Sequence, residues 1–148
     1  MEIFQFLFFT GARLAEIAGL QAEDLREDRI LIRPNELRPL KTLSSERSIP
    51  IHPRPKALAE ELRIKKGLLW PGQYQESNKR WGVNLSKPCR KIVGATPKGF
   101  RDRAATVLRS NNMNEAVVVA LLGHTPNSIS MSYGAVPWSE LKRAVKLL

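Results

Sequence analysis

His124 and Tyr133 stand nine positions apart near the end of a 148-residue chain, in Leu121-Leu122-Gly123-His124-Thr125-Pro126-Asn127-Ser128-Ile129-Ser130-Met131-Ser132-Tyr133. A phenol so placed, downstream of many basic groups, suggests a nucleophile that attacks phosphate. Arg13 and Arg101 suit the charge that such an attack develops. Each guanidinium presents a planar fork of donors to phosphate oxygens and stays charged at any working pH. Pre-placed donors of this kind are worth roughly 3–4 kcal/mol each in comparable sites. The same residue types also admit a plainer account: a Tyr packed in a terminal helix, a His capping the helix before it, and arginines in surface ion pairs.

These groups lie far apart in sequence, so the elements that carry them must bring them together. Residues 3–9 are strongly apolar but lack a basic leader and a small-residue cleavage site, and they fall far short of a membrane span. They read as a buried helix. Leu14, Ile17, Ala18 and Leu20 follow helical spacing after Thr10, which reads as the N-cap, with Gly19 as the exit. Arg13 then sits in the first turn or the loop into it. A β-type run at 29–33 and a second at 47–51 flank a turn-rich stretch bracketed by Pro34 and Pro39, and Pro50 places the second strand at an edge or its end. Pro53 and Pro55 introduce a helix carrying Leu58, Leu62 and Ile64, closed by Gly67. A further helical stretch is expected within 77–93, interrupted or started near Pro88.

Thr96-Pro97 predicts the cap and first turn of a helix running to about Arg109, on which Lys98 and Arg101, three apart, share a face. Asn114 caps the next helix, 115–122, which Gly123 ends, and a short helix is expected over 128–133. The tail, 138–148, is amphipathic: Leu141, Ala144, Val145 and Leu148 form a stripe, with Lys142, Arg143 and Lys146 off it. The sum is a mainly α domain with a small antiparallel β-sheet, an α+β class.

At 148 residues the chain can bury one core and is too short for two sizeable ones. Lys and Arg number 24 against 14 Asp and Glu, a formal charge of +10 that favours a polyanionic partner. The charge is uneven. Lys79, Arg80, Lys87, Arg90, Lys91, Lys98, Arg101, Arg103 and Arg109 share one span with a single acid, Asp102, whereas acids gather between positions 16 and 28. A basic half facing a phosphate backbone explains this, a merely solvated helix face being the alternative. Cys89 is the only cysteine, which rules out an intrachain disulfide and leaves the thiol without metal-ligand partners at motif spacing. That redox evidence fits a cytoplasmic setting.

In order along the chain, Thr10-Gly11-Ala12-Arg13-Leu14-Ala15-Glu16, Leu40-Lys41-Thr42 followed by Glu46-Arg47-Ser48-Ile49-Pro50-Ile51, Lys98-Gly99-Phe100-Arg101, and Leu122-Gly123-His124 with Tyr133 carry a resemblance. The chain resembles the tyrosine recombinases of the phage-integrase family over nearly its whole length. Arg13 and Glu16 match that family's first box, Thr-Gly-x-Arg-x-x-Glu. Arg101 matches the arginine of His-x-x-Arg, with Lys98 where a histidine is commoner.

The resemblance implies a domain that cleaves and rejoins DNA through a 3′-phosphotyrosyl intermediate on Tyr133. Arg13, Arg101 and Lys98 would hold the phosphate. Lys41, in a β-hairpin, would protonate the leaving 5′-oxygen, and His124 would donate to the phosphate or help take the phenol proton. Glu16 would support the first box, since a carboxylate touching phosphate opposes the chemistry. Asp102, where many relatives carry histidine, is expected to turn away from Arg101 with little effect.

No metal or other cofactor is implied, and no carboxylate cluster suggests Mg²⁺. Double-stranded DNA is the implied partner, with Lys79, Arg80, Lys87, Arg90, Lys91 and Arg103 on its backbone. A homo-oligomer would form on DNA through the tail at 138–148, although the tail's stripe could equally fold back on its own domain. A phage or mobile element, and a cytoplasmic location on the nucleoid, follow from the same likeness. Residues 1–148 would be one catalytic domain, truncated at its N-terminus and lacking the family's DNA-clamping domain. The readings beside it are a type IB topoisomerase-like nicking and closing enzyme, and a basic DNA-binding remnant without catalysis.

Overall fold

The computed structural model describes residues 2–39, 45–123 and 135–148. Lys41, His124, Tyr133 and the short helix expected over 128–133 lie outside the described residues.

Helix α1 (Glu2–Thr10) buries Ile3, Phe4, Phe6 and Leu7, as its apolar run requires. Thr10 differs from the expected cap and instead closes α1. Its hydroxyl donates to the Phe6 carbonyl at 2.6 Å and accepts from the Ala12 N–H at 3.1 Å, because the apolar run is itself helical as far as Thr10. Gly11 turns the chain with φ +61°, where a Cβ would stand 2.6 Å from Ala104 and 2.7 Å from Leu122. Only glycine allows the turn and the close approach together. Helix α2 (Leu14–Ala18) follows, with Arg13 in extended backbone as its N-cap and Gly19 as its C-cap.

Strands β1 (Arg29–Ile32) and β2 (Arg47–Pro50) pair antiparallel, Arg29 opposite Pro50 and Ile32 opposite Arg47. Ile30, Ile32 and Ile49 point into the core, and Pro50 ends its strand. Helix α3 (Lys56–Arg63) buries Ala59 and Leu62, whereas Ile64 lies past its end and is 82% exposed, contrary to the helical spacing expected of it.

The helix expected within 77–93 occupies only the second half of that span, starting two residues before Pro88. Tyr74–Gln75 (β3) and Arg80–Trp81 (β4) form a second two-stranded sheet, with the Trp81 ring packed 4.9 Å from that of Tyr74. Lys79 and Gly82 take left-handed backbone, so no helix can run through them. Helix α4 (Ser86–Val93) starts only after that turn.

Helix α5 (Pro97–Ser110) is capped by Thr96, whose hydroxyl accepts from the Gly99 N–H, and α6 (Glu115–Leu122) by Asn114, whose side chain accepts from the Ala116 N–H. Helix α1 packs on α5, α5 on α6, and α6 on both β2 and α7 (Trp138–Val145). Phe100, Ala104, Leu108, Val118, Leu121 and Leu122 join one core with the residues of α1 and the sheet. The tail packs in cis: Leu141, Ala144, Val145 and Leu148 are buried against the chain's own α6 and β2, so the stripe is used within the domain. Among the described residues no helix is long and apolar enough to cross a membrane.

Candidate functional site

The start of α2, the start of α4 and the start of α5 meet around a cleft of about 340 Å³ lined by Arg13, Lys98 and Arg101 together with Ala12, Leu14, Ser86, Thr96 and Pro97. Residues 13 and 101, 88 positions apart, thus face one cavity. Arg101 reaches it from the second turn of α5, and its Nη1 donates to the Gly11 carbonyl at 3.0 Å. The turn at Gly11 therefore fixes one arm of this guanidinium. Its Nη2 is buried and has no hydrogen-bond partner among the described residues. Burial, then the like charges of Arg13 and Arg47, lower its pKa to about 10, against the pull of Glu16 and Asp102. It remains a cation at neutral pH.

Arg13 is held from two sides. Its Nη1 pairs with Glu16 at 2.8 Å, and its Nη2 donates to the Gly123 carbonyl at 3.0 Å. Glu16 also accepts from the Arg13 backbone N–H at 2.8 Å, which caps α2 from within. Burial pushes the Glu16 carboxyl up, but hydrogen bonds and charge from Arg47, with both donors of Arg13, outweigh it and hold the group below its ordinary value. Glu16 thus holds both the backbone and the side chain of Arg13.

Two arginines of this centre were given no site role from sequence: Arg38, and Arg47, which stands in the stretch that resembles the family's hairpin. Arg47, at the start of β2, pairs with Glu16 at 2.9 Å, and Arg38 is buried with its Nη1 donating to the Glu16 carbonyl and its Nη2 to the Arg33 carbonyl. Their signal is faint, a basic residue in a turn or at a strand end, and only the fold shows that both point inward. The Glu16 carboxylate is hydrogen-bonded by Arg13 and Arg47 and also attracts Arg101 and Arg38, with Asp24 paired to Arg38, so cations outnumber anions in this partly buried place.

No family model matches the chain, and no curated protein matches it.

Lys98 lines the same cleft but its ammonium lies 2.6 Å from Asp102, in an exposed pair one turn along α5. Asp102 does turn from Arg101, as a helical step requires, yet the four-residue spacing delivers it to Lys98, a contact the sequence reading overlooked. Such an exposed pair is worth only about 0.3–0.5 kcal/mol, so a phosphate could displace it.

Lys79, Arg80, Lys87, Arg90 and Lys91 are exposed, the last three on α4, whose first residue, Ser86, lines the cleft. Arg103 is placed differently. Its guanidinium lies 3.8 Å over the Phe8 ring and donates to the Leu148 carbonyl at 2.8 Å, so it ties α1 and the tail to α5.

Proposed function

We propose that this chain is the catalytic domain of a tyrosine recombinase or integrase, cleaving and rejoining DNA strands through a 3′-phosphotyrosyl bond to Tyr133. The observation that carries the reading is the cleft where Arg13 and Arg101 converge with surplus positive charge and a buried guanidinium nitrogen that lacks an acceptor among the described residues. A buried donor left unpaired costs about 1–3 kcal/mol, and a phosphate oxygen removes that cost. Gly123, whose carbonyl accepts from Arg13, immediately precedes His124 in the chain.

In this reading the Tyr133 phenolate attacks the scissile phosphorus while the bond to the 5′-oxygen breaks. Lys41 gives its proton to that oxygen and is recharged from water. Arg13 and Arg101 hold the non-bridging oxygens, with His124 and Lys98 as further donors. Rejoining is the reverse: the 5′-hydroxyl attacks the phosphotyrosine and the phenol leaves. Lys98 pairs with Asp102 at 2.6 Å as a cationic donor, so the phenol proton passes to His124 or water. The exposed cations of α4 and of residues 79–80 extend the basic surface from the cleft for duplex DNA. Assembly as a homo-oligomer on DNA belongs to the same reading, but with the stripe of α7 used in cis it needs another surface or an exchange of that helix.

The test uses a randomised pool of nicked duplexes, in which the cleaved fragment diffuses away and traps protein on DNA. The wild-type chain should give a covalent adduct stable in detergent. Arg101→Ala should lower its yield by at least about 100-fold, as loss of one preorganised donor does elsewhere, while binding the pool nearly as well. DNA binding without adduct in the wild type would point to the catalytically inert module instead. Relaxation of supercoiled plasmid without exchange between duplexes would favour the topoisomerase-like activity.

A further inference from the structure

The part of the cleft that carries Arg13 rests on very little helix. Helix α2 has five residues, and a segment that short does not hold a helical shape by itself. Its first turn is fixed by the contacts of Glu16 with the Arg13 backbone and side chain. At its other end the last carbonyls have no N–H to accept from within the helix and must be met from outside. Arg38 and Asn35 do this. Arg38 Nη1 donates to the Glu16 carbonyl, and Asn35 Nδ2 donates to the Gly19 carbonyl at 3.0 Å.

Arg38 is itself held in place, with 3% of its surface exposed. Its Nη2 donates to the Arg33 carbonyl at 2.6 Å and lies 3.5 Å from the Asp24 carboxylate, and its backbone N–H donates to Asn35 Oδ1 at 2.8 Å. A cation buried so far is costly unless it is paired and hydrogen-bonded, and the buried Asp24 supplies the counter-charge. What an arginine provides here that an apolar side chain could not is a rigid fork reaching two carbonyls at once.

The packing is as close as the bonding. A Cβ on Gly19 would stand 2.8 Å from Arg38 Cδ and 3.1 Å from Trp81 Cε2, and one on Gly82 would stand 2.7 Å from Leu14 Cγ. Trp81 Nε1 in turn donates to the Leu37 carbonyl at 3.0 Å. The turn at 35–38 and the β3–β4 hairpin with its following glycine therefore cradle α2 along its length.

We infer that Arg38 is a positioning residue that, with Asn35, holds the C-terminal end of α2 and so sets Arg13, at the other end, against Arg101 across the cleft. The inference rests on the recombinase reading of that cleft. Arg38 is not among the residues that line the cleft and acts through Arg13. A side chain that merely stabilised the fold would slow the reaction by the same factor whatever else is substituted. A residue that works through Arg13 loses its effect once the Arg13 side chain is gone.

The rate of adduct formation by the 148-residue chain on the randomised nicked duplexes tests this, with every variant held well below its melting temperature. A misplacement of about 1 Å can cost about 100-fold in rate, so Arg38→Lys, which keeps the charge but not the fork, should react about 100-fold more slowly than the wild type. Asn35→Ala removes the smaller part of the same grip and should cost about 10-fold, which keeps the comparison open if Arg38→Lys does not fold. In an Arg13→Ala background neither substitution should slow the reaction further by more than about 2-fold, whereas in a Lys98→Ala background each should cost its full factor.

Equal losses in the wild-type and Arg13→Ala backgrounds, or a wild-type rate from the folded variants, would overturn the inference and leave the recombinase reading standing. No adduct from the wild type would overturn that reading and the inference with it.

Discussion

Glu16 is the residue on which the centre turns. Its carboxylate is buried and touched by Arg13 and Arg47, and its folded-state pKa is lowered despite the opposing effect of burial. A depressed carboxyl pKa contributes stability that is fully present above the unfolded value, near 4.5, and is lost as pH falls through the folded one. The wild type should therefore lose stability as pH drops below about 4.5. Glu16→Gln should be less stable at neutral pH and flatter with acid, because two guanidiniums lose their counter-charge. Denaturant unfolding at several pH values measures this, and parallel curves for the two proteins would show that Glu16 is not so coupled. The motifs that resemble the family's boxes made Arg13, Glu16, Lys98 and Arg101 stand out in the sequence. Arg38 and Arg47 did not, because a lone arginine beside a turn reads the same whether it faces water or the core.

At the scale of elements, caps and glycines were the most readable signals. Thr96-Pro97 marked α5, and Asn114 with Gly123 marked both ends of α6, each through a local hydrogen bond or backbone conformation that needs no tertiary partner. Thr10 was misassigned because one hydroxyl can serve the end of one helix or the start of the next, and the choice depends on how Gly11 packs against α5 and α6. The β3–β4 hairpin was missed for a related reason: its strands are two residues long and held by the contact of Tyr74 with Trp81 rather than by an alternating pattern. For α7 the apolar stripe was plain but its destination was not, since periodicity says that a face is buried and not by what. Leu141→Ala should lower unfolding free energy by about 2–5 kcal/mol. Because α7 packs in cis, the melting temperature should not vary with protein concentration. A strong concentration dependence would place the stripe between chains.

At the scale of the whole molecule, the formal charge is +10, and Lys79, Arg80, Lys87, Arg90 and Lys91 are exposed on α4 and the turn and strand before it. If each neutralises one phosphate, duplex affinity should fall with salt at a log–log slope of about −4.5, from about −0.9 per contact. Arg103→Ala should leave that slope unchanged while lowering the melting temperature, because its guanidinium is spent on Phe8 and Leu148. Affinity flat between low and moderate salt would remove the basic surface from the account. The central claim is that Tyr133 becomes bonded to DNA at the cleft of Arg13 and Arg101, and mass spectrometry of the proteolysed adduct tests it most directly. The account predicts an oligonucleotide linked through its 3′-phosphate to the peptide containing Tyr133, and no adduct from Tyr133→Phe; an adduct on another residue, or one persisting at normal yield in Tyr133→Phe, would contradict it.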